Sequence, residues 1–476
     1  MPRFQATASG IRSRGVRDDV NRNDQRWVTD ETAPLLTDLY ELTMLRSYFE
    51  EGMEGRSTFS LFVRRLPESR NFLLACGLEE VLRYLERFSF TPALLQRLDQ
   101  LDLFPGDFLD RLSRLRFTGD VRALPEGTPC FGGEPLLEVS APLPEAQLAE
   151  TFLLNAVHLQ TLIASKAVRV VHAAAGRQVV DFGLRRTQGA DAGLKGARAM
   201  YVGGIDATSN VLAGRMYGIP MAGTMGHSFI QAHGDELAAF RAFVRVYPRT
   251  TLLVDTFDTF QGIENVIRLA HELGDRFQVR AIRLDSGDLL ELSKAARARL
   301  DGAGLSQVEI FVSGGLDEHE IDRLLTRGAP IQGFGVGTAM AVSSDAPSLD
   351  VAYKLVSYQG EGRLKLSPGK ELLPCAKQVF RLEENGVAAG DVVARFDETL
   401  PGRPLLTPVM RAGRRLSAPE SLEHIRARVR EEIARLPAAL RRLSPPEAPY
   451  PVHSSDALLA ERDRLLERIR QASSTR

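Results

Sequence analysis

The sequence has few cysteines, no long apolar run and almost no net charge, and each absence excludes a class of protein. Its 476 residues include three cysteines, Cys76, Cys130 and Cys375, which are far apart and form no Cys-x-x-Cys pair. A disulfide framework or a structural zinc site is therefore not expected, and a reducing, cytoplasmic compartment is favoured. No apolar run approaches the ~20 residues that span a bilayer, so no membrane partner is expected. The formal net charge of -1 gives no general attraction to nucleic acid.

Two familiar catalytic motifs are also missing. The sequence contains no Gly-x-x-x-x-Gly-Lys-[Ser/Thr] loop, so any use of ATP is not of the P-loop kind. It also lacks the Gly-x-Ser-x-Gly elbow, which weakens a hydrolase interpretation.

The chain is too long for one ordinary domain, and its pattern changes twice along its length. We expect a disordered extension over residues 1–30, which are rich in Arg, Asp, Asn and Gln and lack the apolar centre of a signal peptide. An N-terminal α+β domain is predicted over 31–150, and an α/β barrel over 151–345. Residues 346–476, which begin with a predicted hairpin over 351–358 and 363–366, are expected to pack with the N-terminal domain as a second α+β unit.

The middle of the chain alternates short apolar runs with helix-length segments. Such repeated βα units predict a parallel sheet, either a barrel or a doubly wound fold. The predicted strands are 178–182, 251–254, 279–284, 308–312 and 331–336, and the predicted helices are 233–246, 262–273, 287–300 and 317–326.

Polar residues follow all five predicted strands at the point where each strand ends. Barrel enzymes build their active sites from loops at the carboxyl ends of the strands, whereas a doubly wound sheet places its site mainly at one switch point. The coincidence over five units therefore favours an irregular (β/α) barrel. The residues are Arg185 and Arg186; Asp255 and Asp258; Arg283, Asp285 and Asp288; Ser313, Gly314 and Gly315; and Gly335, Gly337 and Thr338.

Two of these segments are suited to anionic ligands. The glycines before Thr338 let backbone N–H groups approach a phosphate, although a tight turn would also explain them. Arg283 and Asp285 alternate at a strand end and can face one pocket, where the arginine could hold a carboxylate or a phosphate. Asp285 could hold ribose hydroxyls or a magnesium-bound water, and Asp255 needs a cation, a metal or hydroxyls. Salt bridges and helix caps are the competing interpretations.

Two further segments place reactive or recognising side chains in small-residue loops. Phe182 followed by Arg185 and Arg186 is suited to an aromatic anion, although a core Phe beside surface arginines is the commoner case. His227 lies among glycines, which argues for an accessible imidazole that could act as a base, a nucleophile or a phosphate acceptor.

Together these segments resemble the nicotinate phosphoribosyltransferase family. The matching segments run in the family's order from about residue 34 to 380, and the one departure noticed is Gly226, where many relatives carry Ala. The segments are Leu35-Leu-Thr-Asp-Leu-Tyr-Glu-Leu-Thr-Met44, Phe182-Gly-Leu-Arg-Arg186, Gly203-Gly-Ile-Asp-Ala-Thr-Ser-Asn210, Gly223-Thr-Met-Gly-His-Ser228, Ile282-Arg-Leu-Asp-Ser-Gly-Asp-Leu289, Ser313-Gly-Gly-Leu-Asp317 and Gly335-Val-Gly-Thr338.

The resemblance implies a reaction and a role for each matching residue. Nicotinate and phosphoribosyl pyrophosphate would give nicotinate mononucleotide and pyrophosphate in NAD salvage, coupled to ATP hydrolysis, with Mg²⁺ and in a homodimer with shared active sites. Phe182 would sandwich the pyridine ring with Tyr40, which would come with Asp38 from the partner subunit. The remaining roles are carboxylate or phosphate binding for Arg185 and Arg283, ribose for Asp285, magnesium-pyrophosphate for Asp255, the 5'-phosphate for Gly337 and Thr338, substrate contacts for Ser313, Gly314 and Gly315, and phosphorylation by ATP for His227.

Several other functions stay open on sequence alone. Nicotinamide phosphoribosyltransferase shares much of this pattern, and Asp206 could accept a hydrogen bond from an amide. Quinolinate phosphoribosyltransferase should need a more basic pocket. A sugar-phosphate aldolase or isomerase would want a Schiff-base lysine at a strand end, but Lys195 falls in a predicted loop and Lys294 on a helix surface. A non-enzymatic binding module would leave the strand-end carboxylates unexplained.

Overall fold

The computed structural model describes residues 28–366 and 372–474. Of the predicted extension, residues 1–27 lie outside the described residues, and Asp30 forms ion pairs with Arg83 and Arg87. None of the helices in the described ranges is both long and apolar enough to cross a membrane.

The first part of the chain combines helices with antiparallel strands and ends in a long buried helix. Its helices are α1 (Leu39–Glu50), α2 (Leu78–Arg87), α3 (Pro92–Asp99), α4 (Gly106–Arg114), α5 (Leu143–Leu148) and α6 (Glu150–Ala173). Its strands are β1 (Arg56–Val63), β2 (Leu73–Leu74), β3 (Asp120–Ala123), β4 (Pro129–Cys130) and β5 (Pro135–Pro142). The helices α5 and α6 follow one another with only Ala149 between them.

The middle of the chain forms six parallel strands with helices between them. The strands are β6 (Gln178–Asp181), β7 (Ala207–Thr208), β8 (Thr251–Leu253), β9 (Ala281–Leu284), β10 (Glu309–Ser313) and β11 (Gly333–Val336). The helices are α7 (Ala190–Val202), α8 (Val211–Tyr217), α9 (His227–His233), α10 (Glu236–Val246), α11 (Thr259–Leu273), α12 (Leu289–Gly302), α13 (Glu318–Thr326) and α14 (Thr338–Ala341). The sheet order is β7-β6-β11-β10-β9-β8, so β7 and β8 form its two edges.

The last part of the chain returns to antiparallel strands and helices. The strands are β12 (Val351–Tyr358), β13 (Glu361–Gly362), β14 (Lys377–Glu384), β15 (Val387–Arg395), β16 (Arg403–Pro404), β17 (Thr407–Arg411), β18 (Arg414–Arg415) and β19 (Val452–Ser454). The helices are α15 (Leu422–Arg435), α16 (Ala438–Arg441) and α17 (Asp456–Ser474). The predicted hairpin was wrong in its second strand. Gln359 and Gly360 make a two-residue turn with positive φ, so β12 pairs at once with β13 rather than with 363–366.

Strands from both ends of the chain share one seven-stranded sheet. Its order is β13-β12-β1-β5-β3-β17-β18, which places β12 and β17 beside N-terminal strands. One hydrophobic cluster fills this terminal domain and another fills the parallel-stranded domain. The prediction of an irregular barrel with a second α+β domain is confirmed.

Inside the parallel sheet, alternation along each strand separates two environments. Ile282 and Leu284 are fully buried in the apolar cluster beneath the helices. Ala281 on β9 and Phe311 on β10 line the space inside the sheet. Arg283, two residues after Ala281 on β9, points to the same side of the sheet. Because successive side chains of a strand point to opposite faces, one short strand supplies both core and site residues.

Candidate functional site

A cavity of about 360 Å³ lies at the carboxyl ends of the parallel strands. Parallel strands end at one edge of their sheet, so the loops that follow them meet there. The cavity is lined by Phe182, Arg185, Arg186, Asp285, Gly314, Gly315, Leu316, Gly335, Gly337, Thr338, Ala339 and Ser344. The structure thus brings together residues from four of the five predicted strand ends around one cavity, and the fifth, Asp255, hydrogen-bonds to the backbone of Asp285.

A second cavity of about 590 Å³ occupies the inside of the sheet and adjoins the first at Phe182. It extends from Phe182 and Thr224 at the carboxyl ends to Gln178 and Arg280 at the amino ends of the strands. Phe182 therefore stands between the loop cavity and the inner cavity, with one part of its ring available to each.

Arg283 is buried at this boundary without a carboxylate partner in the described part of the chain. It is 9% exposed, and its Nη1 donates to Thr224 Oγ1 at 2.5 Å. Its guanidinium carbon lies 5.9 Å from the centroid of the Phe182 ring. Its Nε has no hydrogen-bond partner among the described residues. Burial lowers the pKa of Arg283, against the opposite influence of the Asp285 and Asp255 charges. A buried cation of this kind favours an anionic ligand beside an aromatic ring.

The Phe182 ring fits because the neighbouring strand carries glycine. A Cβ on Gly335 would lie 2.4 Å from Phe182 Cε2 and 3.0 Å from Phe311 Cε1. The two rings are 6.0 Å apart between centroids and inclined by 48°. Gly335 therefore shapes an aromatic wall, a role that the phosphate interpretation of its motif did not include.

Asp255 and Asp285 form a connected polar group with two serine side chains. Asp255 Oδ2 accepts from Asp285 N at 2.7 Å and from Ser286 Oγ at 2.8 Å. Asp285 Oδ1 accepts from Ser313 Oγ. Asp255 Oδ1 is buried and has no hydrogen-bond partner in the described ranges. The competing helix-cap interpretation is confirmed for the segment of Arg283 and Asp285, where Asp288 caps α12. Asp255 itself caps no helix, because Asp258 caps α11.

These carboxylates suit a magnesium ion only if it brings other ligands. Within the described residues there is no group of three or more His, Cys, Asp or Glu side chains that could hold a metal. Mg²⁺ commonly binds one or two carboxylates and completes its octahedron with water and substrate phosphates. The unpartnered Asp255 Oδ1 and the nearby Asp285 fit that partial donor set.

His227 is the first residue of α9, with its ring directed towards the aspartates. Its Nδ1 is 3.1 Å from Thr256 Oγ1, and its Nε2 is 3.7 Å from Asp285 Oδ2. Its side chain is 39% exposed, so Nε2 can be reached from the solvent. The contact with Thr256 orients the ring and leaves Nε2 as the accessible nitrogen.

Two glycine loops form the other side of the loop cavity. Gly314 has φ of 88°, and a Cβ there would lie 1.9 Å from Asp285 O, so only glycine fits. Gly337 precedes Thr338, whose side chain is exposed at the cavity. Backbone N–H groups that approach a cavity without side chains, together with a hydroxyl, make a suitable surface for phosphate oxygens.

Three predicted site residues lie away from the group at the carboxyl ends of the parallel strands. Asp206 is near the amino end of β6, where its Oδ2 accepts from Val179 N at 2.8 Å. It precedes its strand rather than following it, so it does not join the carboxyl-end group. Asp38 accepts from Thr151 Oγ1 at 3.0 Å, and Tyr40 is 46% exposed on the terminal domain. Neither contacts Phe182 within the described chain.

The structure also reveals site residues that the sequence analysis missed. Thr224 bonds Arg283, Thr256 orients His227, and Phe311 packs against Phe182. Asp181 is 1% exposed and accepts from Thr208 Oγ1 and Gly183 N, both at 2.7 Å. Burial raises the pKa of Asp181, against these hydrogen bonds. A carboxylate directly before the Phe182 loop was the available sign of this loop anchor.

Among the described residues, neither cavity is lined by a lysine of the kind that a Schiff-base aldolase would use. Lys195 pairs with Asp191 on α7, and Lys294 lies 3.9 Å from Glu291 on α12.

Comparisons with known proteins cover nearly the whole described chain. Residues 35–158 match the family model of the nicotinate phosphoribosyltransferase N-terminal domain, and 402–461 match that of its C-terminal domain. Residues 163–354, which contain the parallel sheet, match the model of the quinolinate phosphoribosyl transferase C-terminal domain.

Individual relatives agree with these matches. The chain is 54% identical over 440 residues to a nicotinate phosphoribosyltransferase of Mycobacterium tuberculosis, covering 92% of this chain and 95% of the relative. It is 41% identical over 379 residues to one from Bacillus subtilis, covering 78% and 77%. The crystal structure of human nicotinic acid phosphoribosyltransferase matches with a TM-score of 0.80 and 31% identity, over 90% of this chain and 100% of that one.

Proposed function

The chain belongs to the nicotinate phosphoribosyltransferase family, and on that premise we propose that it transfers the phosphoribosyl group of phosphoribosyl pyrophosphate to nicotinate, in NAD salvage. The products are nicotinate mononucleotide and pyrophosphate. The observation that carries this proposal is Arg283, a buried guanidinium beside an aromatic face that lacks a carboxylate partner in the described ranges.

Nicotinate supplies what this part of the site lacks. Its carboxylate would receive hydrogen bonds from Arg283, its charge would be shared with the exposed Arg185, and its ring would lie against Phe182. Nicotinamide would leave the buried cation without a counter-charge, so the acid is the preferred substrate. Asp206, the residue that could have accepted from an amide, lies at the opposite end of β6.

The second wall of the ring site would come from a partner subunit. Tyr40 is 46% exposed beside Leu39, which is 54% exposed, and Asp38 is at the same helix end. Apolar side chains on α8 are exposed as well, including Val211 at 71% and Leu212 at 54%. Exposed apolar surface of this kind is typical of a protein interface. We propose a homodimer in which Tyr40 and Asp38 complete the partner's site.

The phosphoribosyl group would occupy the loop cavity. Asp285, already oriented by Ser313, would accept from the ribose hydroxyls. The Gly314–Gly315 and Gly337–Thr338 loops would donate to the 5'-phosphate. Asp255 Oδ1 would face the magnesium-pyrophosphate. Bound there, Mg²⁺ would neutralise charge on the departing pyrophosphate.

The chemistry needs orientation and charge stabilisation more than a strong base. The bond from ribose C1 to pyrophosphate breaks with oxocarbenium character, and the pyridine nitrogen is already a nucleophile at neutral pH. Holding the ring on Phe182 with its carboxylate on Arg283 fixes the direction of the nitrogen lone pair. The Asp285 carboxylate tolerates the positive charge that develops on the ribose.

His227 is the proposed phosphoryl acceptor from ATP, which makes the enzyme an ATP-coupled transferase of the ligase class. With Nδ1 engaged by Thr256, Nε2 would attack the γ-phosphorus as the bond to ADP breaks. The phosphohistidine adds acceptor oxygens beside Asp285 and would tighten phosphoribosyl pyrophosphate binding through Mg²⁺.

We also propose a cytoplasmic location for the protein, because Cys76, Cys130 and Cys375 are free thiols.

Product formation from phosphoribosyl pyrophosphate tests the reaction, with labelled nicotinate or nicotinamide and with or without Mg-ATP. We expect nicotinate mononucleotide, formed faster with Mg-ATP. Product from nicotinamide alone would assign the protein to the amide reaction instead. No product from either substrate would contradict the proposed function.

A His227→Ala variant tests the ATP coupling separately. We expect it to form product slowly from nicotinate and to gain nothing from ATP, because the acceptor nitrogen is gone. His271→Ala, a change on the surface of α11, serves as the control and should respond to ATP as the wild type does. Full ATP stimulation of the His227 variant would exclude the phosphohistidine.

A further inference from the structure

A buried lysine lies behind the loop cavity and contacts the segments that follow both glycine loops. Lys166, in α6, is 1% exposed. Its Nζ is 2.5 Å from Glu318 Oε2 and 2.7 Å from Asp345 Oδ1. Glu318 is the first residue of α13, directly after the Gly314–Gly315 loop, and Asp345 directly follows Ser344, which lines the cavity. One ammonium group therefore connects the start of α13, which follows the Gly314–Gly315 loop, to the turn after α14, which follows the Gly337–Thr338 loop.

Two arginines extend this cluster on either side of the lysine. Arg70 is 3% exposed; it pairs with Asp345 at 2.5 Å and donates to Ser343 Oγ at 2.9 Å. Arg169 pairs with Glu318 at 3.0 Å. The five charged side chains, three cations and two carboxylates, leave one positive charge in excess behind a cavity suited to phosphate.

The turn after α14, which contains Ser343 and Asp345, has a conformation that needs support. Ser343 has φ of 47°, an unfavourable conformation for a residue with a side chain. Its Oγ donates to Ala346 O at 2.8 Å while it accepts from Arg70. Burial raises the pKa of Asp345, but Arg70 and Lys166 outweigh it and hold that pKa well below its usual range. Asp345 is thus ionised wherever the protein is folded at ordinary pH.

Stability alone does not account for such a cluster. Desolvation of buried charges offsets most of their mutual attraction, and apolar replacements are often as stable. A network of ion pairs does, however, fix distances between the segments it joins. The cluster joins the segments that directly support the two glycine loops proposed to bind the phosphate.

We propose that Lys166 is a positioning residue that sets the separation of the two glycine loops and thereby the affinity for the phosphoribosyl phosphate. This inference rests on the proposed function for the identity of the ligand. Lys166 does not line the cavity, so it acts through Glu318 and Asp345 rather than by contact with substrate.

The test is calorimetric binding of ribose 5-phosphate, which needs no turnover. We expect Lys166→Met to weaken binding about tenfold or more, as removal of supporting partners does at other preorganised sites. In steady-state assays the KM for phosphoribosyl pyrophosphate should rise similarly, and the KM for nicotinate should stay within about twofold.

Lys377→Met is the matched control. Lys377 is also buried, at 3% exposure, and its Nζ lies 3.3 Å from Glu138 Oε1, but it belongs to β14 in the terminal domain. The Lys377→Met variant should be less stable than the wild type but should bind ribose 5-phosphate with unchanged affinity. A purely structural role for Lys166 would make the two variants behave alike.

A milder pair protects the test against a Lys166 variant that does not fold. Asp345→Asn breaks only the connection to the turn after α14, and the Asp345 side chain is 29% exposed. Its control is Asp350→Asn, which breaks the ion pair with Arg64 five residues further along. We expect weaker ribose 5-phosphate binding from the first change and wild-type binding from the second.

The outcomes separate this inference from the proposed function. Wild-type affinity in both Lys166→Met and Asp345→Asn would overturn the positioning role while leaving the reaction intact. A wild-type protein that makes nicotinate mononucleotide but does not bind ribose 5-phosphate would also overturn it. A wild-type protein that neither binds nor turns over would contradict the proposed function itself.

Discussion

Two buried arginines show how the catalytic and terminal regions differ. In the terminal domain, Arg381 is 1% exposed, and its Nε and Nη2 donate to Asp391 at 2.9 and 2.6 Å. At the carboxyl ends of the parallel strands, Arg283 is 9% exposed and bonds a single threonine hydroxyl. The first cation is paired with a carboxylate of the fold, whereas the second has no carboxylate partner among the described residues.

The aspartates of the two regions repeat this contrast. Asp391 is fully buried and accepts hydrogen bonds from Arg381 and from the Tyr450 hydroxyl. Asp255 receives only a backbone N–H and a serine hydroxyl, and one of its oxygens has no hydrogen-bond partner in the described chain. Buried polar atoms are rarely left without partners in folded proteins. Asp391 thus supports the fold through its ion pair, whereas Asp255, beside the loop cavity and without a cation, indicates a binding site.

The largest expected effects come from replacing each of the two arginines with glutamine in a separate variant. Arg283→Gln should lower kcat/KM for nicotinate roughly 100-fold, since it removes a charged hydrogen bond, and should leave stability nearly unchanged. Arg381→Gln should lower the free energy of unfolding by about 3–5 kcal/mol, because Asp391 then stays buried without a cation.

Urea unfolding and steady-state kinetics of both variants measure these effects side by side. The folded fraction of the Arg381 variant should retain the wild-type KM for nicotinate. If Arg283→Gln instead unfolded the protein and kept its activity, the contrast between the two regions would collapse.

A carboxyl group of the terminal domain should make the free energy of unfolding depend on pH, which sharpens the comparison of the two regions. Burial raises the pKa of Glu41 to about 7 from an ordinary 4.5, against hydrogen bonds from Thr151 and Thr37. The protonated form is favoured in the folded state, so this contribution is full below pH 4.5 and is lost as pH rises through 7.

The Glu41→Gln variant isolates that contribution. Between pH 5 and 8 the free energy of unfolding of the wild type should fall relative to the variant, by up to about 3 kcal/mol. Denaturation curves at several pH values measure the difference. Parallel curves for the two proteins would show that Glu41 titrates normally.

The smallest effect concerns the shape of the aromatic wall. Gly335→Ala should raise the KM for nicotinate about tenfold, because its Cβ displaces the Phe182 ring. Gly196→Ala, at an open position in the middle of α7, should leave the KM unchanged and be neutral or stabilising. Equal KM values in both variants would show that the position of Phe182 does not control substrate binding.

The repeated βα pattern of the sequence predicted where the site residues lie better than it predicted where the helices begin and end. Strand ends at Asp255, Arg283, Ser313 and Gly337 were predicted from the βα rhythm, because parallel strands with short connections must bring their carboxyl ends together. Boundaries were less accurate: the helix predicted over 233–246 begins at Glu236, because Gly234, with φ of 70°, ends the preceding helix α9.

Contacts that depend on packing across strands were not predictable. Thr224 reaches Arg283 from a loop 59 residues away, and no local pattern marks it. The position of Asp206 was not predictable, because a two-residue strand, β7, is too short for a periodic pattern to reveal it, and the role of Asp206 stays a prediction. The roles of Tyr40 and Asp38 at a partner's site stay predictions.

The most direct measurement of the central claim is the affinity of nicotinate and nicotinamide for the wild type and for Arg283→Gln, by isothermal titration calorimetry with pyrophosphate and Mg²⁺ present. If Arg283 is the cation that the fold leaves for the substrate, the wild type binds the acid more tightly than the amide. The substitution then weakens nicotinate binding roughly 100-fold and changes nicotinamide binding little. An equal loss for both ligands, or no loss for either, would contradict the account.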